Sequence, residues 1–221
     1  MTAAPDPKTD LKPDLKPDLK PELKTDPKAE QILAAAREIF LEMGYAATTM
    51  DLVAQRARVS KTTLYTRFPS KEELYTAMIS SECDRYGMRF QPNEFDHLPL
   101  RETLHQVGRR FVDLLWSEAA IRVHQSVVGE ALRMPDAARL FFQAGPEQGR
   151  ATYVALFERL AERGLIATDD PAFAAVQFLA AMQGGQHCAL VIGMCPPTTE
   201  EERDLFVTKA VALFIRGVAP G

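Results

Sequence analysis

Several features that would narrow the function are scarce or missing in this 221-residue chain. It has three cysteines, Cys83, Cys188 and Cys195, odd in number and with no CxxC pair. A disulfide framework is therefore not expected, and a reducing, cytoplasmic setting is. No apolar run reaches the roughly 18 residues needed to span a bilayer, so no membrane partner is expected. The amino terminus also lacks the apolar core of a secretion signal. Sequence motifs for zinc proteases (HExxH), P-loops (GxxxxGK[ST]), nucleophile elbows (GxSxG) and dinucleotide folds (GxGxxG) are all absent, and no enzyme is expected. The four histidines, His97, His105, His124 and His187, are scattered without metal-ligand spacing, and neither a metal nor a cofactor is expected. Strand-like alternation is missing throughout. With 46% hydrophobic and 25% charged residues, the composition is that of an all-α globular protein.

Negative charge is missing from one stretch in particular. The chain carries a net charge of -4, yet Leu52 to Lys71 contains no Asp or Glu. The same stretch holds Arg56, Arg58, Lys61, Arg67 and Lys71. Global charge cannot draw this protein to nucleic acid, but a local cationic patch can. The surrounding pattern is two short helices and a tight turn. Met50, Val53, Ala54 and Ala57 form an inward stripe, with Thr48 as its cap and Asp51 three residues on. Arg58-Val59-Ser60 makes the turn, and Ser60 caps the second helix. Leu64 and Phe68 must face inward there, which turns Thr62 and Thr66 outward with Thr63 and Tyr65 on the flanks. A small, hydroxyl-rich helix face led by Lys61 suits a DNA major groove.

The segment from Ile32 to Met78, ILAAAREIFLEMGYAATTMDLVAQRARVSKTTLYTRFPSKEELYTAM, resembles the DNA-binding domain of the TetR/AcrR family of transcriptional regulators. It departs from that pattern at Arg58, where the family usually has glycine, so the backbone there must tolerate a side chain. The resemblance implies a ligand-responsive homodimeric repressor that binds a palindromic double-stranded operator. Base-edge contacts fall to Lys61, Thr62, Thr63 and Thr66, and phosphate contacts to Thr48, Thr49, Tyr65, Arg67 and Lys71. An activator or dual regulator would use the same reader. An all-helical interaction module with a vestigial helix-turn-helix and a carrier of small hydrophobic cargo remain open as alternatives.

Residues 1–27 form a low-complexity arm with DLKP at 10–13, 14–17 and 18–21. Proline once per turn forbids a helix, so the arm is expected to be extended and disordered. Residues 28–76 are the expected helix-turn-helix domain, its first helix ending at Gly44. Residues 77–221 are the expected helical domain for ligand binding and dimerisation. Here the stretch FFQAGPEQGR resembles the AefR-like subgroup of the family, and Gly145-Pro146 is expected to break a helix. A pocket for a small apolar or aromatic effector is expected to draw on Phe111, Trp116, His124, Gln125, Phe157, Met182 and His187, although the same spacing fits ordinary core. The last two helices are apolar on more than one face, which reads either as simple burial or as a dimer surface built from Phe178, Met182, Leu190, Phe206, Ala210 and Phe214. Cys188 or Cys195 could serve as a thiol sensor, and an inert thiol fits equally.

Overall fold

The computed structural model describes residues 26–218, and the low-complexity arm lies outside them apart from its last two residues. Asp26 caps the first helix, accepting a hydrogen bond from Lys28 N, and Pro27 occupies its first turn. The helix therefore begins one residue before the expected boundary.

Helix α1 (Pro27–Ala47) buries Ile32, Ala36, Ile39 and Phe40. Its helical geometry breaks at Gly44, at φ 74, the expected terminus. A Cβ at Gly44 would also crowd Ser126 Oγ at 3.0 Å, so the positive φ and the close approach both favour glycine there. Helices α2 (Met50–Arg56) and α3 (Lys61–Arg67) follow, and α4 (Lys71–Arg85) begins after Ser70, whose hydroxyl accepts from Glu73 N. Buried Leu64 and Phe68 anchor α3 beneath α1 and α2 in a first core, which also takes in Val123, Leu140 and Ala144 from later in the chain.

A short 3₁₀ turn (Pro92–Phe95) leads into α5 (Leu100–Leu115), α6 (Glu118–Glu130) and α7 (Pro135–Phe142). The break expected at Gly145-Pro146 does not occur. The chain runs from α7 through one π-helical turn, Gln143–Glu147, directly into α8 (Gln148–Glu162). The wider turn absorbs the donor that proline lacks without ending the helical course. Helices α9 (Pro171–Val191) and α10 (Glu200–Val218) complete the fold. Asp170 caps α9 at Phe173 N, 2.8 Å away. Thr199 and Glu202 form a reciprocal box at the start of α10, with distances of 2.8 and 3.2 Å. Helix α9 is kinked at Gly184, φ 58, where a Cβ would meet the Phe206 ring at 2.9 Å.

A second core of Leu104, Tyr153, Phe157, Phe178 and Met182 joins α5, α8, α9 and α10. Its buried Tyr153 hydroxyl donates to Val107 O at 2.6 Å. The architecture is all-α, an N-terminal helix-turn-helix domain followed by a helical domain. Among the described residues, no helix is long and apolar enough to cross a membrane.

Candidate nucleic-acid interface and internal cavity

The turn between α2 and α3 is a Schellman motif. Arg58 N donates to Gln55 O at 3.1 Å and Val59 N to Ala54 O at 3.0 Å. That motif needs a left-handed residue between the helices, and Arg58 takes it at φ 51, the one positive φ outside glycine among the described residues. The conformation costs about 1 kcal/mol relative to glycine. Gln31 of α1 secures the turn by donating to Ala57 O at 2.6 Å. Ser60 caps α3 by accepting from Thr63 N.

The outward face of α3 carries exposed Lys61, Thr62, Tyr65 and Thr66. The Thr62 and Tyr65 hydroxyls have no hydrogen-bond partner among the described residues. The Thr66 hydroxyl is spent on Thr62 O, 2.7 Å away, leaving its methyl and lone pairs outward. The Thr63 and Ser60 hydroxyls lie 2.8 Å apart, Thr63 half-buried and Ser60 exposed. Thr49, not Thr48, caps α2, its hydroxyl accepting from Leu52 N. Thr48 is 1% exposed and donates to Gly44 O, so it has no surface to offer a phosphate.

Folding also places acids against the run that lacks them in sequence. Arg56 meets Glu38 and Glu42 of α1 at 2.9 and 3.3 Å. Lys61 meets Asp51 at 2.7 Å, a contact that raises its pKa. Arg67 meets Asp26 at 2.6 Å, and that hydrogen bond holds the Asp26 carboxyl below the usual range. Arg67 is thus half-buried in a structural bridge. Lys71 is withdrawn furthest. Its ammonium donates to Tyr45 O at 2.7 Å and Thr48 O at 2.9 Å and lies 4.3 Å from the Tyr45 ring centre. Burial lowers its pKa. The Lys61–Asp51 pair is fully solvated, and such pairs contribute little, so a phosphate can displace the acid. Arg58 is the one cation of the five with no anionic or carbonyl partner among the described residues. It belongs to the cationic run already evident in the sequence as well as holding the irregular turn position, and an exposed arginine beside α3 has the chemistry of a phosphate contact.

A predominantly apolar cavity of about 350 Å³ lies between the two cores. Leu41 and Met78 belong to the first core, Met88 and Phe111 to the second, and all four line it. Of the seven residues expected at the pocket, Phe111 and His124 line it. Trp116, Phe157 and Met182 are buried in the second core, with Trp116 packed on Phe206. Gln125 is exposed and donates to Val191 O at the end of α9. His187 is buried behind His124, with ring nitrogens 3.3 Å apart. Three charged residues were missed: Arg37 on α1, Glu82 on α4 and Arg89 just beyond it. The available signal was each charge standing four residues from an apolar one on the same stripe, Arg37 from Leu33 and Leu41 and Glu82 from Met78. Cys83 also lines the cavity, its thiol pushed up to about 11 by burial, which leaves it protonated and unreactive.

Burial lowers the pKa of both His124 and His187, and the neighbouring His124 lowers that of His187 further. The unfolded chain therefore binds protons at about pH 6.5 that the folded chain refuses. Stability from this pair is complete above that pH and is lost as pH falls below it. The melting temperature is expected to drop between pH 7 and pH 5.5, above the range where carboxylates titrate. A His124→Gln, His187→Gln double variant should flatten that slope, and an unchanged slope would contradict the assignment.

Of the expected dimer residues, Phe178, Met182 and Leu190 are buried inside the protomer and cannot present a surface. Phe206, Ala210 and Phe214 are partly buried against the second core. The large apolar side chains more than half exposed here are Phe173 on α9, Ile192 at its C-terminal cap, and Leu205 and Leu213 on α10. Cys188 is exposed on α9 and Cys195 is half-buried.

Known proteins share this arrangement. A family model for bacterial regulatory proteins of the tetR family matches residues 32–78, and one for the C-terminal domain of AefR-like transcriptional repressors matches residues 102–217. The chain is 40% identical over 75 residues to the HTH-type transcriptional regulator YhgD of Bacillus subtilis, covering 34% of this chain and 39% of that one. It is 48% identical over 59 residues to the HTH-type transcriptional activator FasR of Mycolicibacterium smegmatis, 27% of each chain. Both matches span less than half of those relatives. The solved structure of the flavonoid-responsive regulator FrrA is 30% identical, with a TM-score of 0.68, covering 87% of this chain and 97% of its own. The AefR-like model alone spans more than half of the sequence, and the chain belongs to the TetR family of DNA-binding transcription regulators.

Proposed function

We propose that this regulator is a homodimeric repressor that binds a palindromic operator through α3 and is released by a small, largely apolar effector in the cavity. The observation that carries the reading is that Leu64 and Phe68 hold α3 from within while Thr62, Tyr65 and Thr66 stand in solvent. Phe173, Ile192, Leu205 and Leu213 give α9 and α10 an outer apolar face that a second copy would cover about a two-fold axis. Such a dimer sets two readers about 34–36 Å apart, one turn of B-DNA. Repression is favoured by the AefR-like repressor model, which spans residues 102–217, whereas the match to the activator FasR covers only 59 residues. The name of FrrA, flavonoid-responsive, fits an aromatic effector. The cavity supports coupling because α1 and α4, which frame the reader, supply part of its wall.

Two substitutions test the faces after an operator is selected from random duplexes. Thr62→Ala is expected to cost about 1 kcal/mol on the operator and little on random DNA, because a hydroxyl on a base edge is lost. Arg58→Gly should weaken both alike and reduce the slope of log affinity against log salt by about 0.9 for the lost phosphate contact. Glycine fits φ 51 without strain, so the fold should survive. Equal losses for Thr62→Ala on every sequence, or an unchanged salt slope for Arg58→Gly, would show the faces to be misassigned.

A further inference from the structure

The polar end of the cavity is asymmetric in a way that specifies its occupant. Glu82 of α4 lines the cavity, and its two carboxylate oxygens are treated differently. Oε1 accepts from Arg85 Nη1 at 2.9 Å and lies 3.0 Å from Arg37 Nε of α1. Oε2 is buried and has no hydrogen-bond partner among the described residues. A buried carboxylate oxygen without a donor is costly, and native structures rarely leave one so.

Resting on the effector reading of this cavity, we propose that the effector is a neutral aromatic compound whose phenolic hydroxyl donates a hydrogen bond to Glu82 Oε2. The charges nearby select the head group. A carboxylate would be driven against Glu82, while Arg37 and Arg89 already face Glu82 and Asp84 at 3.0 and 3.4 Å. An ammonium would enter a site that already contains the guanidinium groups of Arg37 and Arg89, with Arg85 bound to the same carboxylate. A neutral donor escapes both penalties, and a phenol is a strong one toward an ionised acceptor. Phe111, Phe141 and Phe142, with the Met78 and Met88 thioethers, suit a flat aromatic body. A volume of about 350 Å³ is near the lower end for small-molecule sites, which favours two or three rings. Because Glu82 also holds Arg37, the same hydrogen bond competes with the ion pair linking α1 to α4 and so reaches the framework of the DNA reader.

Calorimetric titration of the full chain with naphthalene, 2-naphthol and 2-naphthoate at pH 7 separates the possibilities, since the three share one body. The expected order is 2-naphthol tighter than naphthalene by at least about 10-fold, the worth of a hydrogen bond to a charged group, with 2-naphthoate weakest. In Glu82→Gln the advantage of the naphthol should fall below about 3-fold, while naphthalene binds as before; the wild-type series decides even if that variant folds poorly. Equal binding of naphthol and naphthalene overturns the head-group assignment and leaves the cavity a ligand site. Tightest binding by naphthoate overturns it in favour of an anion. No binding by any of the three overturns both the head group and the cavity as effector site.

Discussion

Replacing Phe178 with alanine is expected to remove about 3–5 kcal/mol from the stability of the protomer itself, the range for emptying a large aromatic side chain from a packed core. Phe178 is 0% exposed and stands among Phe214, Phe157 and Tyr153, with ring centres 5.2, 5.5 and 6.3 Å away. On its far side α5 comes close at Gly108, where an added Cβ would sit 3.4 Å from the Phe178 ring and 3.0 Å from Met182 Sδ. No small neighbour is free to collapse into the space, which argues for the upper part of that range. Leu213→Glu should behave in the opposite way. Leu213 is 72% exposed on the outer side of α10, so a carboxylate there costs the protomer little but is buried if a second copy covers that face. Urea unfolding at one fixed protein concentration and sedimentation velocity distinguish the two. Phe178→Ala should lower the urea midpoint, and Leu213→Glu should turn dimers into folded monomers. A Phe178→Ala protein that merely dissociates would return that residue to the interface, and a Leu213→Glu protein that stays dimeric would remove α10 from it.

The contrast between those residues shows where the sequence was legible and where it was not. Caps and breaks are local, a few atoms reaching two or three residues, so Ser60, Ser70, Asp170, Thr199 and Gly44 could be read directly from the chain. The inward stripe of α3 follows from periodicity alone. Periodicity says which face of a helix is apolar without saying what lies against it. Helices α9 and α10 are packed on several sides, so the core residues Phe178 and Met182 look the same in sequence as the outer residues Phe173 and Leu213. The cavity was misread for the same reason, since core and pocket wall share a composition. Its charged end depends on helix packing that brings Arg37 to Glu82, 45 positions further along the chain. The cationic run was likewise real as sequence and changed by tertiary structure, with Asp26, Glu38 and Glu42 arriving from α1 and its cap. At Pro146 the rule that proline ends a helix met a π-helical turn with room for it.

Lys71→Ala is expected to lower stability by about 2 kcal/mol while leaving the salt dependence of DNA binding unchanged. The chain leaves helical geometry at Gly44, and the carbonyls of Tyr45 and Thr48 that follow take their hydrogen bonds from the Lys71 ammonium, at 2.7 and 2.9 Å. Hydrogen bonds from a charged donor contribute about 1.5–3 kcal/mol each in full burial, and the half-exposed position of Lys71 scales the sum down. The same ammonium sits over the Tyr45 ring, whose hydroxyl donates to Glu72 Oε1 at 3.0 Å, so the substitution loosens the joint between the end of α1 and the start of α4. A lysine engaged in this way has little charge to lend a phosphate. Were Lys71 a backbone contact instead, its loss would spare the melting temperature and reduce the slope of log affinity against log salt by about 0.9. Thermal melts and salt-titrated DNA binding on one preparation of Lys71→Ala therefore decide between a residue that grips DNA and one that holds the reader in place.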